Sequence, residues 1–163
     1  MEKVFHFDCP QEVYQADACV ISCFDARFDT AVRKFLKRRG VATYDQVKIP
    51  GSAKALAAPD FDGDRDFVLR MVRTSIRLHR PELAILIGHN DCGAYPGAAV
   101  EEITADLVRA AGVLLAAEPS FTVECYLADF DGIYRIAADA DRRTRPASAS
   151  MKAGESFNPG TMR

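Results

Sequence analysis

Hydrophobic and polar positions along this chain follow two periods that change over at regular intervals. Residues 18–21 read A-C-V-I without a polar break, and with Ser22 they have the pattern of a strand covered on both faces. From Asp29, a predicted N-cap, Ala31, Val32, Phe35 and Leu36 recur at helical spacing until Gly40 ends the helix. A short strand over residues 46–49 then runs into Pro50-Gly51-Ser52. Asp64 is placed to cap the next helix, whose apolar stripe is Phe67, Val68, Met71, Val72 and Ile76, with arginines opposite and Pro81 past its end. Residues 83–87, L-A-I-L-I, make the clearest strand of the chain. Ile103, Leu107, Val108, Ala111, Leu114 and Leu115 mark an amphipathic helix over residues 100–117. Residues 121–127 alternate as a strand, Asp131-Gly132 is a turn, and residues 133–136 return as a last strand.

Strands alternating with helices predict an α/β fold, a mostly parallel central sheet flanked by helices. The 163 residues are expected to form a single domain, with residues 137–163, rich in Ala, Ser, Arg, Gly and Pro, as a short helix and a loose or partner-wrapped tail. Right-handed crossovers put the carboxyl ends of parallel strands on one edge, where such sheets bind ligands. Cys23 ends the first strand, and His89 and Cys92 follow the strong strand at Leu83. Three soft donors from distant parts of the chain are thereby expected at one sheet edge.

Composition narrows the classes of function. With 48% hydrophobic and 27% charged residues the chain reads as an ordinary globular protein, and a net charge of −2 gives no nucleic-acid footprint. The arginines between Arg65 and Arg80 fall at helical spacing, which is a solvated helix face. No apolar run approaches the roughly 20 residues that span a bilayer, and the start, M-E-K-V-F-H-F-D-C-P, lacks a signal peptide's apolar stretch. A cytoplasmic protein without a membrane partner is expected. The five cysteines argue against a disulfide framework. Cys19 and Cys125 lie inside apolar strands and read as core, Cys9 has no evident task, and Cys23 and Cys92 remain.

The two stretches that hold them are Cys23-x-Asp25-x-Arg27 and His89-x-x-Cys92-Gly93. One imidazole and two thiolates suit Zn²⁺, and three protein ligands leave a fourth tetrahedral position open. Two thiolates also offset the ion's charge, so a nearby acceptor would help activate water. Asp25 is the candidate, either as a hydrogen-bond acceptor or as a metal ligand in a closed state, and Arg27 would keep it ionised and aimed. Asp91 reads as a turn residue able to hydrogen-bond near the site, and His79 as a helix-end histidine. His6 has no companion pattern. Phe24, Phe28 and Tyr95 could line an access route or simply pack.

C-F-D-A-R and H-N-D-C-G resemble the C-x-D-x-R and H-x-x-C-G signatures of the beta-class carbonic anhydrases, and the resemblance extends over residues 18–135. It implies Cys23, His89 and Cys92 as ligands of one Zn²⁺ per chain, Asp25 and Arg27 as the catalytic dyad, and a homodimer or higher homo-oligomer. The implied activity is reversible hydration of carbon dioxide to bicarbonate by a metal-bound hydroxide. The chain departs from the family in reading K-I-P-G-S-A where members carry an Arg-Asn-Ala-Gly-like segment, in an insertion around Asp60, and in a short N-terminal extension. The same ligand set would also serve a zinc hydrolase of carbonyl sulfide or carbon disulfide, or a non-catalytic zinc-binding relative. A thiol-redox role is disfavoured because no C-x-x-C pair exists.

Overall fold

The computed structural model describes residues 1–137. In chain order the elements are β1 (Ala18–Ser22), α1 (Ala26–Arg38), β2 (Tyr44–Lys48), α2 (Lys54–Ala57), α3 (Asp64–His79), β3 (Leu83–His89), α4 (Val100–Ala117), β4 (Thr122–Ala128) and β5 (Ile133–Ile136). They build one five-stranded sheet in the order β2-β1-β3-β4-β5. The first four strands are mutually parallel, and β5 returns antiparallel to β4 through the Asp131-Gly132 turn. Residues 138–163, where the tail is expected, lie outside the described residues. No helix among the described residues is long and apolar enough to cross a membrane.

Side chains alternate across each strand, so burial on both faces demands continuous apolar runs. Cys19 and Ile21 of β1, Ala84 and Leu86 of β3, and Val123 and Cys125 of β4 face a core shared with α2, α3 and α4. Their neighbours Ala18, Val20, Ile85, Ile87, Tyr126 and Ala128 face the opposite way, where Phe28 and Leu36 of α1 cover them. Burying one Leu or Ile contributes about 1.5–3 kcal/mol, against strand propensities that span about 1 kcal/mol, so burial decides which segments become strands.

Several boundaries differ from expectation. The first helix begins at Ala26, not after Asp29: the cap is Asp25, whose Oδ1 accepts from the Arg27 amide at 2.9 Å. Asp29 lies in the first turn and pairs with Lys48 and Arg33. Asp64 is the first residue of α3 rather than its cap, which is Gly63 in the left-handed region. The strand expected over 46–49 is β2, two residues earlier at its start, and the short α2 had no periodicity to announce it. In α3 the buried stripe is Val68, Val72 and Ser75, while Phe67 and Met71 flank it exposed. The arginines of this helix lie on its exposed face, as expected.

From β1 the chain crosses to β2 on one side and later to β3 on the other. The order therefore reverses between β1 and β3, and a crevice opens at their carboxyl ends.

Candidate metal centre

Both halves of the site sit at that crevice. Cys23 is the residue after β1, held between the strand and the Asp25 cap of α1. His89 is the last residue of β3, and Cys92 follows one turn later, where Asp91 takes a positive φ of 52°. Gly88 lets α4 close onto this strand end: a Cβ there would lie 3.0 Å from Ile103 Cγ2 and 3.3 Å from Leu107 Cδ1.

The donor atoms of Cys23, His89 and Cys92 all lie within 4.8 Å of one another, and the two sulfurs are 4.0 Å apart. Among the described residues no other trio of His, Cys, Asp or Glu converges in this way. His89 Nδ1 is 2.8 Å from the Asn90 carbonyl oxygen, which can only accept, so Nδ1 carries the proton and Nε2 presents a lone pair. That Nε2 is buried and has no hydrogen-bond partner among the described residues. A buried acceptor left unpaired costs about 1–3 kcal/mol unless something fills its direction. A cation between the two sulfurs would do so, and the donor set fits Zn²⁺. The Phe28 ring packs 4.7 Å from the imidazole and holds its orientation.

The two thiols are not equivalent. Burial opposes ionisation of Cys23, but the His89 imidazole, when protonated without a metal, and the backbone amides of Asp25 and Gly51 overcome it and bring its pKa down to about 7. Burial and the adjacent Cys23 push the Cys92 thiol up, against the amides of Ala94 and Gly51. Cys23 therefore ionises more readily than Cys92, and a cation between the sulfurs favours both thiolates. Gly51 serves both sulfurs. It takes φ +69°, and a Cβ would lie 3.0 Å from Ala94 Cβ and 3.1 Å from Lys54 Cβ. The departing Pro50-Gly51-Ser52 segment therefore supplies the centre with an amide. The buried Ser52 hydroxyl ties it to the Ile21 carbonyl at 3.1 Å.

Asp25 and Arg27 meet at the rim. Arg27 Nε lies 3.1 Å from each Asp25 carboxylate oxygen, and Nη2 donates to Oδ2 at 2.7 Å. The guanidinium, together with the Arg27 amide, holds the Asp25 pKa at about 2. Its Oδ2 is 3.9 Å from His89 Nε2, beside the donors but outside their cluster. A narrow cleft adjoins them, with an apolar wall of Phe28, Val32, Ile87 and Ala128 and a polar one of Asp29 and Lys48. Phe24 is exposed instead of lining it, and Tyr95 packs behind Cys92.

Two contributors escaped sequence reasoning, Lys54 and Asp106. Lys54 Nζ donates to the Ala94 carbonyl at 2.8 Å, fixing the turn after Cys92. Buried Asp106 accepts from the Tyr95 hydroxyl at 2.8 Å and is paired with Arg109. Its signal was present, an aspartate in step with Ile103, Leu107 and Ala110 on the buried stripe of α4. Asp91, expected as a turn residue able to hydrogen-bond near the site, accepts from Arg27. His6 lies in the exposed leading segment, Cys9 is exposed, and Cys19 and Cys125 are core, all apart from this centre.

A family described as "Putative carbonic anhydrase" matches residues 14–133. The chain belongs to that family. A carbonic anhydrase isoform of Trichomonas vaginalis superimposes with a TM-score of 0.60 at 11% identity, over 82% of this chain and 88% of that one. The carbonic anhydrase of Streptococcus mutans gives 0.58 at 13% identity over 81% and 89%. That of Glaciozyma antarctica gives 0.54 at 16% over 77% and 85%. At these identities the three speak for the carbonic anhydrase fold. Comparison with curated proteins finds no match.

Proposed function

We propose that this protein is a zinc enzyme that reversibly hydrates carbon dioxide to bicarbonate, with Cys23, His89 and Cys92 holding one Zn²⁺ per chain. The observation that carries the reading is the buried, unpartnered His89 Nε2 converging with two thiols in a chain of the carbonic anhydrase family. Bound Zn²⁺ supplies Lewis acidity, lowering the pKa of water in its open position. The chain's own residues do the rest. The Asn90 carbonyl fixes the imidazole tautomer, and the Gly51 amide steadies both thiolates. Asp25, kept ionised by Arg27, can only accept at neutral pH, so its Oδ2 orients a water hydrogen and leaves an oxygen lone pair toward the substrate. The apolar wall of the cleft takes a small linear molecule and sheds the bicarbonate anion. Carbon dioxide and water become bicarbonate and a proton, which passes to solvent.

We also read the protein as a homodimer or higher homo-oligomer. Exposed Phe24 and Phe130, which border the centre on the Cys23 and Asp129 sides, support that reading.

The test joins metal analysis to turnover. About one zinc per wild-type chain, lost in Cys92→Ser, with carbon dioxide hydration well above buffer, is expected. Arg27→Ala should keep zinc and lose about a hundredfold in rate. Metallated protein inactive on carbon dioxide would overturn the reading, and hydrogen sulfide release from carbonyl sulfide or carbon disulfide would then assign the substrate to the sulfur analogues.

A further inference from the structure

We propose that Asp91 is a positioning residue, gripping the Arg27 guanidinium from the His89–Cys92 loop and so holding Asp25 clear of the metal position. The inference rests on the metal reading above. Arg27 is engaged from two sides. Asp25 takes Nε and Nη2, Asp91 Oδ2 takes Nη1 at 2.8 Å, and the Asp91 carbonyl takes Nη2 at 2.9 Å. All three guanidinium nitrogens are thereby bound, and the planar fork cannot turn without breaking a contact at one end.

The brace ties the β1–α1 turn to the β3–α4 loop, 64 residues apart, on the outer side of the Cys23 and Cys92 sulfurs that also meet between them. Apart from this brace and the first turn of α1, the Asp25–Arg27 pair meets among the described residues only looser neighbours, such as the Phe130 ring 5.8 Å from the guanidinium carbon. Asp25 Oδ2 is already 3.9 Å from His89 Nε2, so a small rotation would carry it into the open position of an ion held there. Asp91 is itself held: its amide donates to Asn90 Oδ1 at 2.8 Å, and Asn90 Nδ2 reaches Asp129 Oδ1 at 3.1 Å. Its φ of 52° is one that Asp, Asn and Gly adopt with little strain. The Arg27 and Asp91 side chains are 48% and 70% exposed, so the pair adds little to stability, and its effect is on position.

The test uses Co²⁺-loaded protein and thiocyanate, an anion that competes for an open position and changes the visible bands of the ion. Asp91→Gly removes the carboxylate without straining the backbone, and Asp91→Asn keeps an acceptor in place. In Asp91→Gly, thiocyanate should bind at least about tenfold more weakly than in wild type, the scale of losing an outer partner of a metal site. Asp91→Asn should stay close to wild type, and Asp25→Asn with Asp91→Gly should recover the anion response. Unchanged thiocyanate binding in Asp91→Gly, or no recovery in the double variant, would overturn the positioning role. A wild-type protein with no thiolate-to-cobalt charge-transfer band would remove the metal reading itself, and this inference with it.

Discussion

His89 and His79 stand at opposite edges of one sheet, each beside an aspartate, and they are used differently. At the amino edge, His79 Nδ1 is 2.9 Å from both oxygens of Asp45, which also accepts from Ser75 at 2.6 Å and from Tyr14 at 2.6 Å. The Tyr14 ring stacks on the imidazole at 4.0 Å. The Asp45 carboxylate, the Ser75 and Tyr14 hydroxyls and His79 Nδ1 are all bonded within that cluster, and it pins the leading segment to β2 and α3. At the carboxyl edge, His89 donates once, and its buried Nε2 has no partner among the described residues. Buried polar groups are nearly always satisfied, so the satisfied histidine is structural and the bare one points to something the chain itself does not supply.

Exchanging the two histidines for alanine is the strongest way to break that contrast. His89→Ala should abolish zinc binding and lower carbon dioxide hydration by about 10³-fold or more. His79→Ala should keep one zinc per chain and lose about 1–3 kcal/mol in chemical denaturation. Zinc loss in both variants would dissolve the distinction. Next in size is Gly51→Ala, which strains a left-handed position and crowds Ala94. Zinc affinity should fall about 10–100-fold with intact far-ultraviolet dichroism, and unchanged affinity would deny the Gly51 amide its role.

A smaller effect comes from pH. Burial works against the Asp45 carboxylate, yet bonds from Ser75, Tyr14 and His79 prevail and hold its pKa below the ordinary value. Its contribution is therefore full above the unfolded value of about 4 and is lost as pH falls through the lower folded value. Asp45→Asn should be less stable at pH 6 and should lose less on acidification to pH about 3 than wild type, read from urea midpoints. Parallel losses in the two proteins would contradict this. The smallest expected change is Tyr14→Phe, about 0.5–1 kcal/mol with no change in zinc content, because one partly exposed hydrogen bond is removed.

Most strands were legible because burial on both faces writes uninterrupted apolar runs, as at residues 18–21 and 83–87. The start of α1 was not. Asp25 and Asp29 both precede apolar residues, and only the backbone turn and the Asp25 side chain's bond to the Arg27 amide tell them apart. The segment holding Gly51 was marked only as a departure from the family pattern, since an amide acting on two sulfurs leaves no mark in residue type. Asp106 could have been flagged by its register on α4, but its partner Tyr95 is set by packing.

By itself the sequence determined the strand–helix alternation, the two cysteine-bearing motifs and their places after strands, because hydropathy period and residue chemistry are local. Tertiary structure alone decided that β1 and β3 lie side by side with the chain order reversing between them. From that follow the approach of the two sulfurs to 4.0 Å, the bare His89 Nε2 between elements, and the grip of Asp91 on Arg27 across 64 residues. Distances between remote segments depend on how whole layers pack, and no local pattern encodes them.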